Sequence, residues 1–166
     1  RDKDSPASIC LICEIAAWAR DNGMTLYDLL MNIYKEYGFS KEATINVVKP
    51  GKTGADEIKQ MMVDFRTNAP KVLAGSSVVK VLDYKSLEET DLVTGEKKAI
   101  DQDSSNVLQW ITADGTLVSV RPSGTEPKIK FYFGVKEPLP SVELYDEVLA
   151  KLDAKIETIK NDLQLV

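Results

Sequence analysis

Residues 118–131 read Val118-Ser119-Val120-Arg121-Pro122-Ser123-Gly124-Thr125-Glu126-Pro127-Lys128-Ile129-Lys130-Phe131. β-Branched residues alternate up to Arg121, and a second alternating run starts at Lys128, so a strand enters a tight loop and another leaves it. The loop holds two hydroxyls, a glycine and two prolines, with cations at both ends. A phosphate dianion is the natural guest of such a loop. Arg121 offers a bidentate charge-assisted contact, and Ser123 and Thr125 offer O–H donors. Gly124 lets backbone N–H groups turn inward as an anion nest, and the prolines limit the entropy lost on binding. Lys128 and Lys130 are two apart on a strand, hence on one face.

Working outward, Ala113-Asp114-Gly115-Thr116 between Val107–Thr112 and Leu117–Val120 predicts a hairpin. Ser77–Tyr84 alternates as a strand. Between them Lys85–Ser105 is polar and charged, with a turn at Thr94-Gly95; it reads as a long excursion or a β-hairpin. Upstream, Ala55–Asn68 is an amphipathic helix with Ile58, Met61, Met62 and Phe65 on one face, and Thr44–Val48 is a short strand. Downstream, Tyr145, Val148, Leu149, Leu152, Ile156, Ile159 and Leu163 mark a long helix from Ser141 with one apolar face. The order after residue 40 is β-α-β, a hairpin, the loop, a strand and a helix: an α+β sheet with two helices on one face.

Residues 1–40 stand apart from this pattern. Ser5-Pro6 predicts a helix start, and the segment to Asp21 is apolar nearly all round, so a helix buried on most sides is expected. Cys10 and Cys13 then read as buried, inert thiols rather than a redox pair. Thr25 with Asp28 forms a capping box for a second helix, stopped by Gly38. The two helices read as the end of a preceding domain (1–40), and 41–166 as a second domain. An opening on Arg1 rather than Met reads as an excised piece of a longer protein.

Composition narrows the function classes. The 166 residues carry a net charge of −5, which disfavours a nucleic-acid partner while a local cation pair can still hold a small anion. There are 0 histidines, so the commonest general base and metal ligand is missing. Two cysteines suit a reducing, cytoplasmic setting rather than a disulfide scaffold. No apolar run reaches the roughly 18 residues of a membrane span. Gly51-Lys52-Thr53 imitates the end of a P-loop, but Asn46 stands where the first glycine belongs. Glu96, Asp101 and Asp103 lack EF-hand spacing and read as a solvated run.

Arg121 to Tyr132, RPSGTEPKIKFY, resembles the phosphate-binding loop of the C-terminal domain of the α-D-phosphohexomutase superfamily, the phosphoglucomutases and phosphomannomutases. Arg1-Asp2-Lys3-Asp4 with the following helix is similar to the end of that family's third domain; Lys80–Tyr84 and Ser105–Trp110 are similar to its fourth. The resemblance implies a TATA-binding-protein-like α+β fold for the C-terminal domain. It also implies an enzyme that interconverts sugar 1-phosphate and 6-phosphate through a phosphoserine and a bisphosphate intermediate. Arg121, Ser123, Gly124, Thr125 and Lys130, and more weakly Lys128, would grip the phosphate that is not transferred, and Glu126 would brace the loop. The implied partners are glucose or mannose phosphates and the remaining domains of the same chain. The implied cofactors are Mg2+ and a sugar bisphosphate activator, with the catalytic, metal and sugar-recognition loops outside these residues and the piece alone inactive. A phosphopentomutase of the same superfamily and a stand-alone sugar-phosphate module are the alternatives.

Overall fold

A computed structural model describes residues 4–165, with the backbone alone at Lys52. Arg1, Asp2 and Lys3, which carry part of the resemblance above, lie outside the described residues. The chain divides into two compact units: one runs to Phe39 and takes in Glu137–Val148, the other holds Ser40–Lys136 and continues from Leu149.

In the first unit, α1 spans Ser5–Asp21 and α2 spans Leu26–Tyr37. The α1 cap is Asp4, whose carboxylate accepts from the Ala7 N–H at 3.1 Å, one residue before the expected Ser5. At α2 the capping box forms as expected. Thr25 Oγ1 accepts from the Asp28 N–H at 3.1 Å, and the Asp28 carboxylate accepts from the Thr25 N–H at 2.8 Å. The Thr25 hydroxyl and amide together hold the Asp28 carboxyl below its usual range. The expected burial of α1 is overturned. Of its apolar residues only Ala19 is buried, Ile9 and Leu11 are exposed, and Cys10 and Cys13 are exposed free thiols. The reason is geometric: α2 packs along α1, and one neighbouring helix covers a single stripe of an all-round apolar surface. Tyr34, Phe39 and Tyr145 form a stack with centroid spacings of 4.4 and 4.8 Å.

The second unit is built on a sheet in the order β1-β8-β7-β6-β3-β4-β5, with the two-residue β2 (Val72–Leu73) beside β3. The strands are β1 Phe39–Val48, β3 Ser76–Asp83, β4 Glu88–Asp91, β5 Lys97–Ala99, β6 Leu108–Thr112, β7 Leu117–Pro122 and β8 Lys128–Glu137. From β8 through to β5 every neighbouring pair is antiparallel. The polar excursion is therefore a hairpin, β4–β5. Asp91 turns it by accepting from the Val93 and Thr94 N–H groups at 2.9 Å each, and Gly95 supplies the left-handed corner at φ 76°.

Alternation decides which face is covered. Ile129, Phe131, Phe133 and Val135 of β8 are buried together with Val118 and Val120 of β7 and Leu108 and Trp110 of β6. Helix α3, Gly51–Thr67, lays Ile58 and Met62 against this face. Its Phe65 meets the Trp110 and Phe131 rings edge-on at 5.3 and 5.9 Å. Helix α4, Tyr145–Asp162, contributes Leu152, Ile156 and Ile159. The result is the expected α+β layer, with helices on one face and Lys128, Lys130 and Tyr132 projecting from the other. Two turns are tied to α4 through carboxylates: Lys155 pairs with Asp114 of the β6–β7 turn at 2.8 Å, and Asp162 accepts from the Ala74 N–H at 2.7 Å. No helix among the described residues is long and apolar enough to cross a membrane.

Candidate phosphate-binding site

The loop between β7 and β8 is stapled at its base. The Ser123 N–H donates to the Lys128 carbonyl at 2.8 Å and the Lys128 N–H to the Glu126 carbonyl at 2.8 Å. The Lys49 N–H holds the Pro127 carbonyl at 2.9 Å, anchoring the loop to the end of β1. Ser123 Oγ accepts long hydrogen bonds from the N–H groups of Thr125 and Glu126, at 3.4 and 3.3 Å. Those contacts are weak enough for an incoming anion to compete for the same donors.

Two cavities flank the loop. One, about 390 Å³, is lined by Arg121, Ser123, Gly124, Thr125, Lys130 and Tyr132, with Pro122. The other, about 690 Å³, lies between the loop and α3; it shares Ser123, Gly124 and Thr125 with the first and is walled on its α3 side by Ala55, Ile58, Met62 and Val63. Of the described cations that line the larger cavity, Lys59, Arg66 and Lys85, two are already committed. Lys59 pairs with Asp56 at 2.9 Å, and Arg66 donates from Nε to Asp83 at 3.0 Å, from Nη2 to Asn106 at 2.6 Å and from Nη1 to the Met62 carbonyl at 3.3 Å.

The smaller cavity has the opposite character. Arg121 and Lys130 are direct cross-strand partners of β7 and β8, so both cations stand on the open face of the sheet. Among the described residues, no carboxylate lies within ion-pair distance of either. Five of the six sequence-derived residues, Arg121, Ser123, Gly124, Thr125 and Lys130, line this one cavity. Lys128 does not; it pairs with Glu126. That Lys128 contact, with Lys130 adding charge, holds the Glu126 carboxyl below its usual range. Gly124 is not in the left-handed region, and a Cβ built on it meets nothing within 4 Å. What the glycine provides is bare backbone on the cavity wall. Tyr132 was not among the sequence-derived residues, although its position two residues beyond Lys130 puts it on the same face. Among the described residues no group of three His, Cys, Asp or Glu side chains is placed to hold a metal ion.

Residues 79–152 match the family of the phosphoglucomutase/phosphomannomutase C-terminal domain, and most of the chain is similar in sequence to phosphoglucomutases. It is 32% identical to a phosphoglucomutase of Staphylococcus saprophyticus over 93% of this chain and 27% of that one. It is 34% identical to a phosphoglucomutase of Staphylococcus aureus over 94% of this chain and 27% of that one. The chain thus spans about a quarter of the length of these relatives. Among solved structures, the open form of the parafusin phosphoglucomutase of Paramecium aligns with 83% of this chain and 23% of that one, at a TM-score of 0.40 and 12% identity.

Proposed function

We propose that the cavity of Arg121, Ser123, Gly124, Thr125 and Lys130 grips the phosphate of a sugar phosphate, in an enzyme that interconverts sugar 1-phosphate and 6-phosphate. The observation that carries this reading is the Arg121–Lys130 pair: two cations held opposite each other without a carboxylate partner among the described residues. Like charges directly opposed across strands repel, and a dianion seated between them turns that repulsion into attraction. Arg121 presents two parallel N–H groups to the phosphate oxygens. Ser123 and Thr125 donate hydroxyl hydrogens, and Lys130 adds a point charge. Lys128, held by Glu126, shapes the loop and is a secondary contact.

Phosphoryl transfer is catalysed mainly by positioning and charge stabilisation. In this reading the chain holds the phosphate that does not react and so presents the sugar's opposite end to a phosphoserine elsewhere in the protein, through a bisphosphate intermediate. Glucose and mannose phosphates fit the family, as does a bisphosphate activator. Mg2+ belongs to the same reading; among the described residues no group of three His, Cys, Asp or Glu side chains is placed to hold it. On its own the chain binds without turnover. Residues 1–40 belong to the preceding domain and 41–166 form the grip. The setting is cytoplasmic.

Amide NMR of the chain with glucose 1-phosphate tests the grip. The expected dissociation constant is on the order of millimolar, about 4 kcal/mol of binding, with shifts centred on 121–130 and lost in Arg121→Ala. Absence of shifts at tens of millimolar ligand overturns the reading, as do shifts that survive the substitution.

A further inference from the structure

The phosphate cavity is bounded by the β7–β8 loop at one end and by Tyr132 at the other. The register sets this order. Arg121 pairs with Lys130; Tyr132 pairs with Ser119, two pairs along and so on the same face. β8 leaves the loop at Lys128, so Tyr132 lies across the cation pair from Ser123 and Thr125. Two residues of strand rise, about 7 Å, separate the Tyr132 row from the cation row. Arg121 and Tyr132 are diagonal neighbours on this face, a spacing that aromatic and long side chains bridge. Tyr132 is exposed, and among the described residues its hydroxyl has no hydrogen-bond partner. The residue opposite is engaged elsewhere: Ser119 Oγ accepts from the Gln109 side-chain amide at 2.8 Å.

We infer that Tyr132 is a further phosphate-contacting residue: its phenolic O–H donates to an oxygen of the anion from the side opposite the loop. The inference rests on the phosphate grip proposed above. A phosphate group presents three strong acceptor oxygens. Arg121 meets it with a fork of N–H groups and Lys130 with a point charge, while Ser123 and Thr125 approach from the loop. The side toward the middle of the sheet is left, and of the described residues that line the cavity Tyr132 alone stands there. The phenol suits the place. It has two side-chain torsions, so little freedom is lost when it settles on an oxygen. A hydrogen bond to an ionised acceptor is roughly twice as strong as a neutral one. Being uncharged, it adds no repulsion to the Arg121–Lys130 pair in the empty site, which a third cation would. The consequence is positional: the anion is held over the cations between the loop hydroxyls and the phenol. Tyr132 reads the phosphate and not the group esterified to it, so it serves inorganic phosphate and a sugar phosphate alike.

NMR of the whole chain tests it, with inorganic phosphate and with glucose 1-phosphate, in wild type and Tyr132→Phe. The substitution keeps the ring and removes only the donor, and a retained amide pattern of β6–β8 checks the fold. Both ligands should bind Tyr132→Phe about tenfold more weakly, the loss expected for one charge-assisted hydrogen bond. In the wild type the Tyr132 Cζ resonance should move with the 121–130 amides and share their midpoint. That reading needs no variant and stands whatever the substitution does to the fold. Wild-type affinity in Tyr132→Phe overturns the contact and leaves the phosphate grip standing. So does a loss confined to glucose 1-phosphate, or a Cζ resonance that stays still while the amides move. If inorganic phosphate at tens of millimolar moves none of the 121–130 amides, the grip and the contact fall together.

Discussion

Arg121 and Lys130 face each other across β7 and β8, an arrangement that costs the unliganded protein stability. Opposed like charges on neighbouring strands are unfavourable by roughly 0.2–1 kcal/mol, and solvent ions screen them. Lys130→Met keeps the aliphatic stem and removes the charge. At low ionic strength this variant should be more stable to urea than the wild type by about 0.2–1 kcal/mol. The gain should fade near 1 M salt, where the Debye length is about 3 Å. Its phosphate affinity should drop about tenfold, since a charge-assisted contact is worth roughly 1.5–3 kcal/mol in context. A variant that is destabilised equally at both salt concentrations would mean that Lys130 packs rather than repels. Tyr132 illustrates the limit of reading residues singly: its place on the phosphate face follows from the alternation of β8, but nothing in its own chemistry flags an anion site.

Among the elements, the β6–β7 hairpin is held by one carboxylate. Asp114 accepts from Thr112 Oγ1 at 2.5 Å, from the Thr116 N–H at 3.1 Å and from Lys155 of α4 at 2.8 Å. Partial burial pushes its carboxyl upward, but Lys155, Thr112 and Thr116 outweigh it and hold the group well below the usual range. A depressed carboxyl stabilises the fold fully above its unfolded value of about 4, and the contribution is lost as pH falls further. Asp114→Asn should therefore cost about 1–2 kcal/mol at pH 7, an estimate already reduced for solvent screening. The difference from wild type should shrink below about pH 4. Thermal melts of both proteins from pH 7 to pH 3 decide it; a constant difference across that range would assign the role to shape rather than charge. This hairpin was legible beforehand because Ala113-Asp114-Gly115-Thr116 carries its own turn chemistry. Helix α1 was not: an apolar composition says that a surface wants cover, while exposure depends on what packs there. β1 was read from Thr44 because Ser40, Lys41 and Glu42 are polar, yet the strand begins at Phe39. Ser40 and Glu42 lie on the uncovered face of the sheet, and Lys41, on the other side, pairs with Asp153 of α4; polar residues in both settings hide a strand from a hydrophobicity pattern.

For the molecule as a whole, composition makes a prediction about pH. The chain has 0 histidines, and histidine is the side chain whose ordinary titration falls between about pH 5 and 8. Arg121, Lys130 and hydroxyls line the phosphate cavity, and no histidine is there to titrate in that window. A phosphate monoester does titrate there: its second ionisation lies at about 6. Affinity for glucose 1-phosphate should therefore rise with pH through a single inflection near 6 and stay flat from about 7 to 8, following the ligand's dianion fraction. The net charge of −5 opposes binding at long range, but it changes little in that window, so it sets the height of the curve and not its shape. A sulfate ester of the same sugar is already fully ionised there and should bind with no pH dependence at all. Isothermal titration of both ligands from pH 5.5 to 8 separates the cases. A sulfate curve that also bends would reveal a titrating protein group at the site, and the cation pair would then be only part of what recognises the anion.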